Sequence, residues 1–208
     1  LAAAGTLLAT WMAGEAGIAL NAAGGSHHAG PEGGAGFCVF NDVAVAIRNR
    51  RAQGAPGRVL VIDCDVHQGD GTAKVFADDP AAFTLSVHAE RNFPVRKARS
   101  DIDVALADGT GDAAYLEAVA EGLDRAIAAA APALVYYNAG VDVWQGDRLG
   151  RLRLSSAGIR ARDRLVISRV RGLGLPLVCV IGGGYDDDPE RLAGHHSILF
   201  EEAARAAG

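Results

Sequence analysis

Short apolar runs alternate along the chain with stretches in which apolar residues recur every three or four positions. Residues 58–65 (RVLVIDCD) are apolar almost without interruption up to an acidic end, which is typical of a strand buried on both faces. In residues 112–131 the apolar positions follow the order i, i+3, i+4, i+7, which predicts an amphipathic helix that Asp112 caps and Pro132 stops. The pattern therefore predicts strands and helices in alternation.

The other predicted elements continue this alternation. Helices are predicted over residues 1–15, 41–53, 155–171 and 189–207, and strands over residues 17–21, 83–88, 101–106, 134–138 and 175–181. Asn41 and Ser155 are the expected N-terminal caps of their helices, and Gly54 is the expected C-terminal stop of the helix over 41–53. Because helices of this length connect successive strands, we expect an α/β fold with a mainly parallel sheet and helices on both faces.

Composition narrows the class of protein. A chain of 208 residues with 50% hydrophobic and 22% charged residues fits one globular domain and excludes a disordered or collagen-like chain. The net charge of −5 argues against direct nucleic-acid binding, and no apolar run is long enough to predict a membrane span. The Ala-rich start lacks the basic residues of a signal peptide. Three cysteines without a CxxC pair favour a reducing, cytoplasmic location, and Cys38 and Cys64 are expected to be buried core residues.

Polar and glycine-rich segments follow four of the predicted strands. They are GGSHHA (24–29), DCDVHQGDG (63–71), NAGVD (138–142) and GGGY (182–185). The carboxyl ends of parallel strands meet at one edge of a sheet, where ligands of such folds bind. We therefore expect these four segments to form a single site.

The second of these segments has the spacing of a metal site. Asp63, Asp65 and His67 alternate with apolar residues, so on an extended backbone their side chains point to the same side. Two close carboxylates repel unless a cation lies between them. With Asp142, Asp65 and His67 would give two oxygen ligands and one nitrogen ligand around a divalent metal, leaving a position for water as in catalytic zinc sites. Fe²⁺, Co²⁺ or Mn²⁺ would suit the same ligands, and an ordinary solvated acidic turn is the alternative.

Adjacent histidines in the first segment are candidates for proton transfer. The tight turn would have to bring both His27 and His28 to one pocket, where one neutral imidazole could act as a general base. Asp63 and Asp70 would be available to orient the two rings. A second adjacent pair, residues 195–196, is expected to be an ordinary surface pair.

Aromatic residues complete the predicted site. Tyr185 follows three glycines and could donate a hydrogen bond to an oxyanion, although a packing role is the alternative. Phe37 and Phe93 could line an apolar channel, or simply belong to the core.

Taken together, these segments resemble the zinc-dependent histone deacetylase family, which shares its three-layer fold with arginases. The motifs that carry the resemblance are GGSHHA (24–29), GFCVFND (36–42), VIDCDVHQGDGT (61–72), LSVH (85–88), YNAGVD (137–142), GDRLG (146–150) and GGGY (182–185). HQGDGT and NAGVDVWQGDRLG are most similar to the class IV branch and its bacterial relatives.

The resemblance implies a role for each matching position. It makes Asp65, His67 and Asp142 the zinc ligands, His28 the general base, His27 its electrostatic partner, and Asp63 and Asp70 the carboxylates behind His27 and His28. It makes Tyr185 the residue that polarises the amide carbonyl, and it places Phe37, Phe93, Leu149 and Gly183 at the acyl-lysine tunnel. It also implies a structural potassium ion at Asp63, Asp65, His67, Ser86 and Val87.

The implied activity is hydrolysis of Nε-acyl-lysine in proteins or peptides. Acetylated polyamines are an alternative substrate class for the same site, and an arginase-like activity or a catalytically weak acyl-lysine-binding protein are less favoured alternatives. Family members carry one or two further βα units before the GGxHH segment, which here begins at residue 24. We therefore expect residues 1–208 to form one deacetylase-like domain that lacks N-terminal elements of the family fold.

Overall fold

A computed structural model of the protein describes residues 1–207, which form six helices and six strands. Their order along the chain is α1 Ala2–Ala16, β1 Ile18–Asn21, α2 Asp42–Ala52, β2 Val59–Asp63, α3 Asp70–Phe76, β3 Ala82–Ala89, β4 Ile102–Leu106, α4 Asp112–Ala130, β5 Leu134–Asn138, α5 Ser156–Gly172, β6 Leu177–Val180 and α6 Pro189–Ala207.

The six strands form one sheet in the order β1-β6-β5-β2-β3-β4, and every neighbouring pair is parallel. In this register Asp63, the last residue of β2, lies opposite Asn138 at the end of β5 and Ser86 in β3. The loops that follow β2 and β5 therefore start side by side. This arrangement confirms the predicted α/β class and parallel sheet.

Both faces of the sheet are covered by helices. Along β2, Leu60 and Ile62 pack into a core with α4, α5 and α6, whereas Val59 and Val61 pack into a second core with α1 and α2. This alternation follows from the two-residue repeat of a strand, and it explains why the strand is apolar at every position. Each fully buried aliphatic side chain contributes about 1.5–3 kcal/mol to folding. Within residues 1–207, none of the helices combines the length and the apolar character that a membrane span requires.

Local details differ from the sequence prediction in three places. Helix α3 was not predicted, because its seven residues are too few for a helical repeat of apolar positions to stand out. The expected cap Asp112 lies inside the first turn of α4, whose N-terminal cap is Gly111. Its carboxylate instead accepts hydrogen bonds from the Ser155 amide and hydroxyl at 2.8 and 2.6 Å and so ties the start of α5 to α4. Cys38 is half-buried rather than a core residue.

The predicted caps of the other two helices are confirmed. The side chain of Asn41 accepts a hydrogen bond from the Ala44 amide at 2.9 Å, and that of Ser155 accepts one from the Gly158 amide at 3.0 Å.

Candidate metal centre and active site

Three buried side chains converge beyond the ends of β2 and β5. Nδ1 of His67 lies 3.0 Å from Oδ1 of Asp65 and 3.1 Å from Oδ2 of Asp142. One candidate ligand atom from each residue lies within 4.8 Å of the other two. The backbone fixes both carboxylates, because the Gly183 amide donates to Asp65 at 2.7 Å and the Val66 amide donates to Asp142 at 2.9 Å.

The electrostatics of this group suit a bound cation. Burial, together with the charge of Asp65, raises the pKa of Asp142 to about 7. Burial alone would raise the pKa of Asp65, but the imidazoles of His27 and His67 outweigh it and hold that pKa well below its usual range. A divalent ion would satisfy both carboxylates at once. Gly183 packs directly against both carboxylates. A Cβ at this position would collide with them, so only glycine fits here.

His27 occupies a buried position between two acids. Its Nδ1 lies 2.7 Å from Oδ2 of Asp63, and its Nε2 lies 3.7 Å from Oδ1 of Asp65. Burial alone would lower the pKa of His27, but Asp63 and then Asp65 outweigh that effect and raise the pKa to about 10. The two acids therefore favour the cationic form of the His27 ring.

His28 has the opposite electrostatic character. Its ring lies 4.1 Å from that of His27, so the turn does bring both imidazoles together, and its Nδ1 lies 2.8 Å from Oδ1 of Asp70. Burial lowers the pKa of His28, and the neighbouring His27 acts in the same direction, against the hydrogen bond that His28 makes to the Asp70 carboxylate. A neutral imidazole oriented by a carboxylate can accept a proton.

A cavity of about 330 Å³ leads to the metal group. Its lining residues are His28, Gly36, Phe37, His67, Asn92, Phe93, Leu149 and Tyr185. The ring of Phe93 meets that of His28 edge-on, with centroids 4.9 Å apart. The predicted channel residues Phe37, Phe93 and Leu149 are therefore brought together, although Phe37 is 88% exposed. We call this cavity the tunnel.

Tyr185 lines the tunnel together with His28. Gly182 adopts a φ of +62°, which favours glycine, and the Tyr185 amide donates to Oδ2 of Asp147 at 2.7 Å. The Tyr185 ring lies 6.1 Å from the His67 ring. Burial, and then the charges of Asp65 and Asp142, raise the pKa of the Tyr185 phenol well above its usual range. The hydroxyl therefore keeps its proton and can donate a hydrogen bond.

Two residues of this region were missed by the sequence prediction. Asn92 joins the walls of the tunnel, because its Nδ2 donates to the Leu149 carbonyl at 2.7 Å and its Oδ1 accepts from the Arg151 amide at 3.0 Å. The fully buried Arg162 donates to the carbonyls of Gly140 and Cys64 at 2.6 and 3.2 Å. Nothing in its loop sequence marks Asn92, whereas Arg162 lies three residues after the core residue Ile159 on the buried stripe of α5.

The remaining predictions have mixed outcomes. Ser86 and Val87 are buried in β3, next to Asp63, and the hydroxyl of Ser86 contacts Nδ1 of His88 at 2.9 Å. The potassium site stays a prediction.

The expectation that residues 195–196 form a surface pair was wrong. His195 is buried, 2.9 Å from the Ser156 hydroxyl and against the Trp144 ring, and Nδ1 of His196 is buried without a partner.

Comparison with known proteins gives a consistent result. The family model described as "Histone deacetylase domain" matches residues 1–198. An uncharacterized protein of Picosynechococcus sp. is 48% identical over 97% of this chain and 67% of its own length. Histone deacetylase 2 of Arabidopsis thaliana is 39% identical over 87% of this chain, which spans about half of that relative.

A solved structure shares the fold. An acetylpolyamine aminohydrolase from Burkholderia pseudomallei superposes with a TM-score of 0.80 at 26% identity, covering 97% of this chain and 60% of that protein. These matches confirm the resemblance and the deacetylase-like fold that the motifs indicate.

Proposed function

The chain belongs to the histone deacetylase domain family, and from this premise we propose that it is a metal-dependent amidohydrolase that removes acyl groups from Nε-acyl-lysine. One observation carries the proposal: His67 belongs both to the Asp65–His67–Asp142 group and to the lining of the tunnel, with His28 and Tyr185. A ligand that enters the tunnel would therefore meet a metal site, a proton acceptor and a hydrogen-bond donor together.

The chemistry follows from the protonation states of these residues. A divalent metal held by Asp65, His67 and Asp142 would supply Lewis acidity toward the amide carbonyl and a water molecule. The neutral His28 takes a proton from the attacking water, and Tyr185 donates a hydrogen bond to the carbonyl oxygen as negative charge develops. The protonated imidazole then gives its proton to the leaving amine, so that amide and water become carboxylic acid and amine. His27, whose cationic form is favoured by its contact with Asp63, lies beside His28 and would stabilise negative charge in the site.

The cofactors of this proposal are Zn²⁺, with Fe²⁺ or Co²⁺ compatible with the same ligands, and a structural K⁺ ion. The motifs HQGDGT and NAGVDVWQGDRLG support a place in the class IV branch. The free cysteines Cys38, Cys64 and Cys179 support a cytoplasmic location.

Acetylpolyamine hydrolysis is the second candidate function. It is favoured by the structural similarity to an acetylpolyamine aminohydrolase, and it would use the same residues. The two substrates share the acetylated primary amine that must enter the tunnel.

The test loads the purified protein with Zn²⁺ and measures turnover of acyl-lysine peptides and of acetylpolyamines. We expect deacylation of the peptides and its loss on chelation. Asp142→Ala should lose both metal and activity, because two ligands do not hold zinc tightly. Asp124→Ala, at an exposed carboxylate paired with Arg169, is the matched control. Full zinc content in Asp142→Ala, or no turnover of either substrate class by the loaded wild type, would contradict the proposal.

A further inference from the structure

A cationic loop borders the tunnel on the side of Phe93. Residues 90–97 carry Arg91, Arg96 and Lys97 against the single acid Glu90, although the chain as a whole has a net charge of −5. Arg91 and Arg96 are exposed, and the part of the chain described by the structure holds no ion pair for either. Two unpaired guanidinium groups therefore belong to the loop that forms one wall of the tunnel.

Hydrogen bonds hold this loop in place. Nζ of Lys97 donates to the Asn92 carbonyl at 2.6 Å and to the Pro94 carbonyl at 2.7 Å, on either side of Phe93. Asn92 in turn bonds the opposite wall at Leu149. Arg91 is the neighbour of Asn92, and Arg96 follows Phe93 by three residues, so its Cα lies at most about 11 Å from that of Phe93. The backbone that carries the two arginines is thus held beside the tunnel and does not belong to a loose segment.

The acidic residues near Tyr185 have partners of their own, which neutralise part of their charge. Asp187 pairs with Arg148, and Asp186 and Asp188 both pair with Arg191. Asp147 accepts the amide hydrogens of Leu149, Gly150 and Tyr185. The positive charge without an ion-pair partner among the described residues therefore lies on the Phe93 side of the tunnel, whereas the Tyr185 side keeps excess negative charge.

We propose that this loop, through Arg91 and Arg96, selects acyl-lysine in acidic peptide segments and disfavours acetylpolyamines. The inference rests on the proposed amidohydrolase function and chooses between its two substrate classes. Carboxylates that flank the acyl-lysine would be attracted by the two guanidinium groups, and this attraction raises both the encounter rate and affinity. The ammonium groups of a polyamine would be repelled by the same charges.

The experiment compares three acetyl-lysine peptides of equal length, with glutamate, glutamine or lysine at the flanking positions, and N-acetylputrescine. For the zinc-loaded wild type at low ionic strength we expect kcat/KM to fall from the glutamate to the lysine peptide by about tenfold, with acetylputrescine the poorest substrate. At 0.5 M NaCl the difference should shrink to about twofold or less, because salt screens exposed charges. Arg91→Glu/Arg96→Glu should reverse the order of the peptides.

Arg125→Glu is the matched control. Arg125 is exposed in the last two turns of α4, on the side of the sheet where the strands begin, whereas the tunnel lies where they end. It should keep the wild-type order. Equal kcat/KM for the three peptides, or an order that survives Arg91→Glu/Arg96→Glu, would overturn the inference while leaving the amidohydrolase function intact. If no acyl substrate were turned over, the proposed function would fail. Fluorescence anisotropy of the same peptides would then decide the inference: tighter binding of the glutamate peptide supports it, and equal binding overturns it.

Discussion

The guanidinium group of Arg162 donates a hydrogen bond to the Gly140 carbonyl at 2.6 Å, two residues before the candidate metal ligand Asp142. The same nitrogen donates to the carbonyl of Cys64, the residue between Asp63 and Asp65. One buried cation on α5 therefore holds both turns that carry the carboxylates of the metal group. Its charge is balanced by Asp163, whose Oδ1 accepts from Nε of Arg162 at 2.9 Å.

Removal of this cation should destabilise the protein strongly. Arg162→Met leaves Asp163 buried without its ionic partner, removes the donor to the Gly140 carbonyl, and leaves the Cys64 carbonyl with the Tyr115 hydroxyl as its remaining side-chain donor. We expect the free energy of unfolding, measured with urea, to fall by about 3–5 kcal/mol. Arg164→Met on the same helix removes an exposed guanidinium group from the buried Glu202, which keeps Arg160 and Arg205 as partners, and should cost less than about 1 kcal/mol. A loss in Arg162→Met no larger than in Arg164→Met would show that the cation is dispensable.

The sequence predicts most of this site because its residues follow strands that are easy to recognise. Asp63, Asp65 and His67 alternate behind the apolar run of β2, and the parallel register then places them beside Asn138 and the segment that leads to Asp142. The orienting contacts of Asp63 with His27 and of Asp70 with His28 depend on how the turn folds, which spacing alone leaves open.

The missed residues are those whose role depends on tertiary contacts. Arginine and histidine are usually exposed, so Arg162 and His195 suggest solvent-facing positions until their place on a buried helical stripe is considered. His195 lies three and four residues before the buried Ile198 and Leu199. Asn92 lies in a loop without periodicity, where only the folded structure shows that both ends of its amide are bonded.

His196 should make stability depend on pH. Its buried Nδ1 has no hydrogen-bond partner among residues 1–207, and burial, followed by the charges of Arg162 and His195, lowers its pKa to about 4. The unfolded chain, with a pKa near 6.5, binds a proton between these values that the folded protein does not. Stability is therefore fully present above about pH 6.5 and is lost as the pH falls toward 4, by about 3 kcal/mol from this residue. Urea unfolding between pH 7 and 4.5 measures the slope.

His196→Gln removes this titrating imidazole. The slope of stability against pH in this variant is compared with that of the wild type. Because the other histidines are present in both proteins, their contributions cancel in the difference between the two pH profiles. The variant should lose less stability than the wild type on acidification. Parallel profiles would mean that His196 titrates alike in the folded and unfolded chains.

Asn92 should control substrate binding more than turnover. Asn92→Asp keeps the acceptor for the Arg151 amide but sets a carboxylate oxygen against the Leu149 carbonyl, where Nδ2 now donates at 2.7 Å. The walls should separate, and KM for acetyl-lysine peptide should rise about tenfold with kcat within about threefold of wild type. Asn49→Asp, on α2 and outside the tunnel, is the control. A fall in kcat at unchanged KM would place Asn92 in the chemical step instead.

Tyr185→Phe should leave the fold and zinc content intact and reduce turnover sharply. The ring and its packing in the tunnel are retained, so the change removes only the phenolic hydroxyl, which keeps its proton because burial raises the pKa of Tyr185. A hydrogen bond to the carbonyl oxygen strengthens as negative charge develops there, so its loss falls mainly on the transition state. Donors of this kind contribute about 100- to 1000-fold to the rate. We therefore expect kcat to fall by that factor in steady-state assays with acetyl-lysine peptide, while KM changes much less. Tyr136→Phe, at a buried tyrosine whose hydroxyl contacts that of Thr10 in the core with α1 and α2, controls for the general effect of losing a phenol. A kcat of Tyr185→Phe within about threefold of wild type would fall far short of that expected loss. Tyr185 would then be a packing residue, and the proposed hydrogen bond from its hydroxyl to the carbonyl oxygen would be wrong.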